Sequence, residues 1–121
     1  MTLQQLAERQ AGDVTILALG GRSEEGDTTL RDRIEELLRA NRVRVVLDLQ
    51  AVEYIDSTGL GTIAAKYLTL RRRGGDLKLL HVPPRTLQLM TITKLTRVFE
   101  FFDSEDRAIE SFGRDATSPG P

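Results

Sequence analysis

The chain has 121 residues, 40% of them hydrophobic and 29% charged, which suits one globular domain rather than two. Seventeen basic residues against eighteen acidic ones leave a formal charge of −1, so no global field favours nucleic acid or an anionic membrane. Cysteine is absent and histidine occurs once, which excludes disulfides, thiolate metal sites and cysteine nucleophiles.

At the start of the chain, Leu3 to Arg9 reads as a strand or, through LQQLAER, as a short helix. Turn chemistry in Gln10-Ala11-Gly12-Asp13 then leads into VTILAL, Val14 to Leu19. This β-branched, apolar run predicts a buried strand closed at Gly20-Gly21. Leu30, Ile34, Leu37 and Leu38 recur on one face of an amphipathic helix between Thr28 and Asn41, with Asp27 or Thr28 as its cap. Val43 to Leu49, broken only by Arg44 and Asp48, has the pattern of a strand covered on both faces and hence of the sheet centre.

A second helix follows Asp56-Ser57-Thr58-Gly59-Leu60-Gly61, its apolar face built from Leu60, Ile63, Ala64, Tyr67, Leu68 and Leu70. Arg71, Arg72 and Arg73 before Gly74-Gly75 suit a helix C-terminus, so structure alone accounts for the triplet. Leu77 to Val82 reads as a strand stopped by Pro83-Pro84, Thr86 to Thr91 as a short helix, and Arg97 to Phe102 as a last strand. Asp103 or Ser104 caps a final helix to Phe112, and Gly113 to Pro121 has the composition of a frayed tail. Strands separated by helices imply parallel pairs joined by crossovers, an α/β or α+β sheet with helices packed on it. No apolar run reaches the ~18 residues that span a bilayer, and Met1 to Gln10 lacks the apolar stretch of a signal peptide. A soluble, cytoplasmic protein is therefore expected.

Chemistry concentrates only at Asp56 to Gly61, where the central strand meets a helix. Ser57 lies at or near the helix N-cap, and Gly59 and Gly61 let another macromolecule approach closely. The plainer reading is that Asp56 or Ser57 caps the helix and the glycines serve packing. Enzymatic readings fail. A phosphate-binding loop needs Gly-Lys-Ser/Thr, and the nearest lysine, Lys66, lies well inside the helix. A nucleophile elbow needs Gly-x-Ser-x-Gly, and Ile55 stands where the first glycine belongs. A serine triad would have to use His81, which falls at a strand end, and no cluster has metal-ligand spacing. Neither an enzyme nor a cofactor is expected.

The run VVLDLQAVEYIDSTGLGTIAAKYLTLRRRGGDLKLL, Val45 to Leu80, resembles the core of the STAS domain, and specifically the anti-sigma factor antagonists of bacterial partner-switching systems. The order is an apolar strand, D-S-x-G-L-G, a helix, then G-G-x-L-x-L. The likeness extends outward through LALGGRSEEGDTTL and ITKLTRVFEFFDSEDRAI, so it covers Leu3 to Phe112. It implies a STAS-like mixed sheet of four to five strands with about four helices packed on it, as one domain over 1–112.

In such antagonists the serine of D-S-x-G is phosphorylated by an anti-sigma factor that is also a serine kinase. The unphosphorylated form binds that kinase and frees the sigma factor, and a serine phosphatase resets the switch. Carried over, the resemblance makes Ser57 the phosphoacceptor, with Thr58 as runner-up, and Asp56, Gly59, Leu60 and Gly61 part of the docking surface. It implies no direct contact with nucleic acid or membrane. A monomer or weak homodimer is expected. The alternative is a non-switching STAS scaffold, or one associated with a transporter.

Two departures stand out. Many members carry L-x-G-x-L-D after the second strand; with Gly20 taken as its glycine, Arg22 stands at the leucine and Ser23 at the partner-facing aspartate. Glu24, Glu25 or Asp27 could supply the missing charge; otherwise the partner differs or phosphorylation is poor. Lys94 stands where a glycine is frequent, before Leu95.

Overall fold

The computed structural model describes residues 5–22 and 28–117. Its sheet has five strands in the order β1-β2-β3-β4-β5: β1 (Gln5–Ala11), β2 (Val14–Arg22), β3 (Arg44–Tyr54), β4 (Asp76–Leu80) and β5 (Phe101–Phe102). The first pair is an antiparallel hairpin, and all later pairs are parallel. From Gln5 on, the segment that could be strand or helix at the start is thus a strand, because it extends the sheet across the hairpin; Leu3 and Gln4 lie outside the described residues. Helices α1 (Thr29–Arg39) and α2 (Ser57–Arg72) carry the first two crossovers; α3 (Pro84–Ile92) and a 3₁₀ turn at Leu95–Arg97 carry the third. A last helix, α4 (Glu105–Thr117), follows β5. This is the mixed α/β fold expected, with β3 at the sheet centre.

Side chains alternate across a strand, so one sheet has two faces to bury. Leu17, Leu19, Val45, Leu47, Leu49, Leu77 and Leu79 share a cluster with Leu30 and Ile34 of α1, Leu60 and Ile63 of α2 and Met90 of α3. Val14, Ile16, Val46 and Leu80 form a second cluster with Ala108 and Phe112 of α4. Three helices therefore cover one face and α4 the other. No helix among the described residues is long and apolar enough to cross a membrane.

Several boundaries differ from the sequence reading, each for a physical reason. Strand β2 does not stop at Gly20-Gly21. It continues to Arg22 because β3 also runs on, to Tyr54, and the two pair with register shifts after Ala18 and Gly21. Gly21 has a φ of 93°, a conformation that glycine takes without strain. Thr28 sits at the N-cap of α1, but its hydroxyl donates to Asp32 at 2.8 Å instead of accepting from an amide. Asn41, at φ 59°, ends that helix as expected. The predicted strand from Arg97 to Phe102 shrinks to two residues. The 3₁₀ turn takes its start, and Phe99 packs edge-on against Tyr67 at 5.0 Å between ring centroids. Leu68, expected on the buried face of α2, is 54% exposed. Ser104 caps α4, its Oγ accepting from the Arg107 amide at 3.3 Å, and the helix runs on through Gly113 to Thr117.

Candidate functional site

Parallel strands present their C-terminal ends along one edge of a sheet, the usual place for sites in such folds. Here that edge gathers the end of β2 at Arg22, the end of β3 at Tyr54 with the D-S-T-G-L-G loop, and the passage from β4 into α3. Ile55 and Leu60 are each 2% exposed and anchor the loop in the core. Ser57, Thr58 and Gly61 face solvent between and beyond these anchors. Leu60, expected on the docking surface, is instead buried beneath these residues.

The cap belongs to Asp56. Its backbone is extended (φ −87°, ψ −179°), its Oδ1 accepts from the Gly59 amide at 2.8 Å, and its carbonyl accepts from the Leu60 amide at 3.0 Å. Ser57 is consequently the first helical residue, and its exposed hydroxyl makes no hydrogen bond among the described residues. A side chain so placed is open to a second protein's active site. Asp56→Ala removes the cap and should cost about 1 kcal/mol of stability, read as a lower midpoint in urea at unchanged slope. Gly61 lies in ordinary helical backbone, and a Cβ built there meets nothing within 4 Å. The fold does not require glycine at that position.

Ser23 and Glu24, with the substitutes Glu25 and Asp27, lie outside the described residues. Beside the loop stands a group that the sequence reading did not assemble. Arg22 pairs in register with Tyr54, and Arg85 enters from the first turn of α3. Both guanidinium carbons lie 5.9 Å from the centre of the Tyr54 ring, which is 36% exposed. Arg22 was visible as a departure from the family pattern. Arg85 offered one signal, a cation in the first turn of a helix, where the macrodipole disfavours it.

Elsewhere several charged groups tie elements together. Arg71 reaches Asp76 at 3.3 Å and Arg73 the Leu38 carbonyl at 3.1 Å, so two of the arginine triplet tie the end of α2 to its neighbours. Burial pushes the Asp76 carboxyl above its ordinary range, outweighing its bond from the Leu77 amide and the nearby Arg71. His81 is half-buried with φ 54°, its amide bonded to the Phe102 carbonyl at 3.0 Å. No group of three or more metal-ligating side chains comes together among the described residues.

Comparison with known proteins places these features in a family. The model of the STAS domain matches residues 6–108. The anti-sigma-B factor antagonist of Listeria monocytogenes is 31% identical over 105 residues, covering 84% of this chain and 89% of that protein. Among solved structures, an anti-sigma factor antagonist from Mycobacterium paratuberculosis superposes with a TM-score of 0.78 at 23% identity, covering 88% of this chain and 92% of the other. SpoIIAA, also an anti-sigma factor antagonist, is similar in fold in its unphosphorylated form (TM-score 0.68, 16% identity, 88% and 96% covered). Its phosphorylated Bacillus form is similar too (TM-score 0.71, 15% identity, 88% and 98% covered).

Proposed function

Because this chain belongs to the STAS domain family, among the anti-sigma factor antagonists, we propose that it is a partner-switching regulator whose state is set by phosphorylation of Ser57. In this reading the unphosphorylated face docks on an anti-sigma factor with serine kinase activity and releases the sigma factor. The kinase then moves the γ-phosphoryl group of ATP onto Ser57 Oγ, displacing the hydroxyl proton and leaving ADP. A serine phosphatase reverses the step, all in the cytoplasm. The domain brings no catalytic group of its own.

The observation that carries this reading is the exposed hydroxyl of Ser57, unbonded among the described residues, on a helix start that Asp56 caps and Ile55 and Leu60 pin. Phosphate there adds about −1.5 to −2 charges to the docking surface while the core beneath is already fixed. SpoIIAA resembles this chain in both its unphosphorylated and phosphorylated forms, which supports a switch that works without unfolding. Incubation with the cognate kinase and ATP should add one phosphate, located at Ser57 by peptide mass spectrometry. Phosphate on Thr58 alone, or none, contradicts the reading.

Gly61 gives an independent test. A glycine inside a helix costs roughly 1 kcal/mol relative to alanine, and here no close contact demands it. Gly61→Ala should therefore raise stability by about 0.5 to 1 kcal/mol in urea unfolding. The same variant should bind the kinase more weakly, because the new methyl group stands on the face the partner approaches. Unchanged affinity would assign Gly61 no part in docking.

A further inference from the structure

From the grouping of Arg22, Tyr54 and Arg85 we infer that this chain carries its own receptor for a phosphoryl group on Ser57. The inference rests on the phosphorylation reading above and specifies where the new charge goes. Two guanidinium groups converge on one tyrosine ring, each at 5.9 Å, and neither pairs with a carboxylate among the described residues. Gathering two like charges is unfavourable unless something anionic joins them.

The chain path puts the phosphoacceptor in reach. Ser57 is three residues past Tyr54, so it lies within roughly 11 Å of it on any path. Arg22 is the register partner of Tyr54 across the sheet. Its position at the strand end, and that of Arg85 at the start of α3, place both on the edge that bears the loop. The helix start offers less than its geometry suggests, since Asp56 already occupies the amides of Gly59 and Leu60. Asp56 also repels a second anion. A phosphoryl group on Ser57 therefore needs cations from outside α2, and arginine is the side chain suited to binding it with two parallel N–H donors. When the arginines close on the phosphate, the face shown to a partner loses a neutral hydroxyl and two exposed guanidinium groups at once.

The test uses the full chain with phosphoserine inserted at position 57 during synthesis, so that no kinase is involved. Titration by ³¹P NMR follows the second ionisation of the phosphate, near pH 6 when unperturbed. Arg22→Gln and Arg85→Gln should each raise that midpoint by about half a pH unit or more, because an adjacent cation favours the dianion. Both arginines are exposed and carry no ion pair among the described residues, so neither change disturbs the fold. An identical midpoint in parent and variants, or a response to only one arginine, overturns the receptor. Failure of the kinase to modify Ser57 would instead overturn the switch.

Discussion

Ser57→Asp should bind the cognate serine-kinase anti-sigma factor at least about a hundredfold more weakly than the parent chain, a loss near 3 kcal/mol. The residue is exposed at the first position of α2, so the substitution leaves the core untouched and the effect falls on docking. A partner surface fitted to a neutral hydroxyl meets a carboxylate beside Asp56, and like charges held together at an interface cost several kcal/mol. Ser57→Ala should separate binding from regulation. It removes only an exposed hydroxyl, so affinity should stay within about threefold, while phosphate incorporation falls to zero. Calorimetry for affinity and intact mass for phosphate distinguish the two. Equal binding by Ser57→Asp and parent would mean that charge at this position is not what releases the partner.

The largest expected loss of stability lies elsewhere, at Gly75→Ala. A Cβ at Gly75 would stand 1.9 Å from the Val43 carbonyl oxygen and 2.6 Å from its carbon, both backbone atoms that cannot swing aside. The close approach is where β4 begins: Gly75 donates to Leu70 at 2.8 Å, and Asp76 donates to Val43 at 3.0 Å. Relief would require moving the central strand pair apart, so the cost should reach at least about 3 kcal/mol and lower the melting temperature by roughly 10 °C or more. The neighbouring Gly74→Ala makes a control. Gly74 has open space around it but a φ of 86°, so alanine there is strained without clashing and should cost about 1 to 2 kcal/mol. Thermal melts of Gly75→Ala, Gly74→Ala and Gly61→Ala should thus rank from largest loss to a gain.

Much of this was legible in the residues because local and global signals agreed. The apolar runs at Val14 and Val43 are central strands, and the periodic leucines of α1 face the core. The D-S-T-G-L-G loop falls at the strand-to-helix junction where its composition placed it. Reading failed where a tertiary partner overrode a local cue. Gly20-Gly21 has turn chemistry, yet pairing with β3 carries the strand through it. Arg97 to Phe102 has the composition of a strand, yet a 3₁₀ turn takes its start, Phe99 packs into the core against Tyr67, and only Phe101 and Phe102 pair. Lys78 shows the same limit. It is a charged residue between Leu77 and Leu79, and α4 covers it completely. Its ammonium donates to Ser111 at 2.7 Å, lies 3.2 Å from Glu100 and sits 4.5 Å from the centre of the Phe112 ring. Only the placement of α4 on the second face reveals that burial.

The division between Ile55 and Leu60, which are held in the core, and Ser57, Thr58 and Gly61, which are not, also bears on how such domains diversify. If the proposed switch holds, substitutions at the outward positions, or at Arg22 and Arg85, would alter what a partner meets without disturbing the packing beneath. A cell with several regulators of this kind can insulate their circuits by changing a few surface side chains, using mismatched charge to reject the wrong kinase. New wiring then needs no new fold.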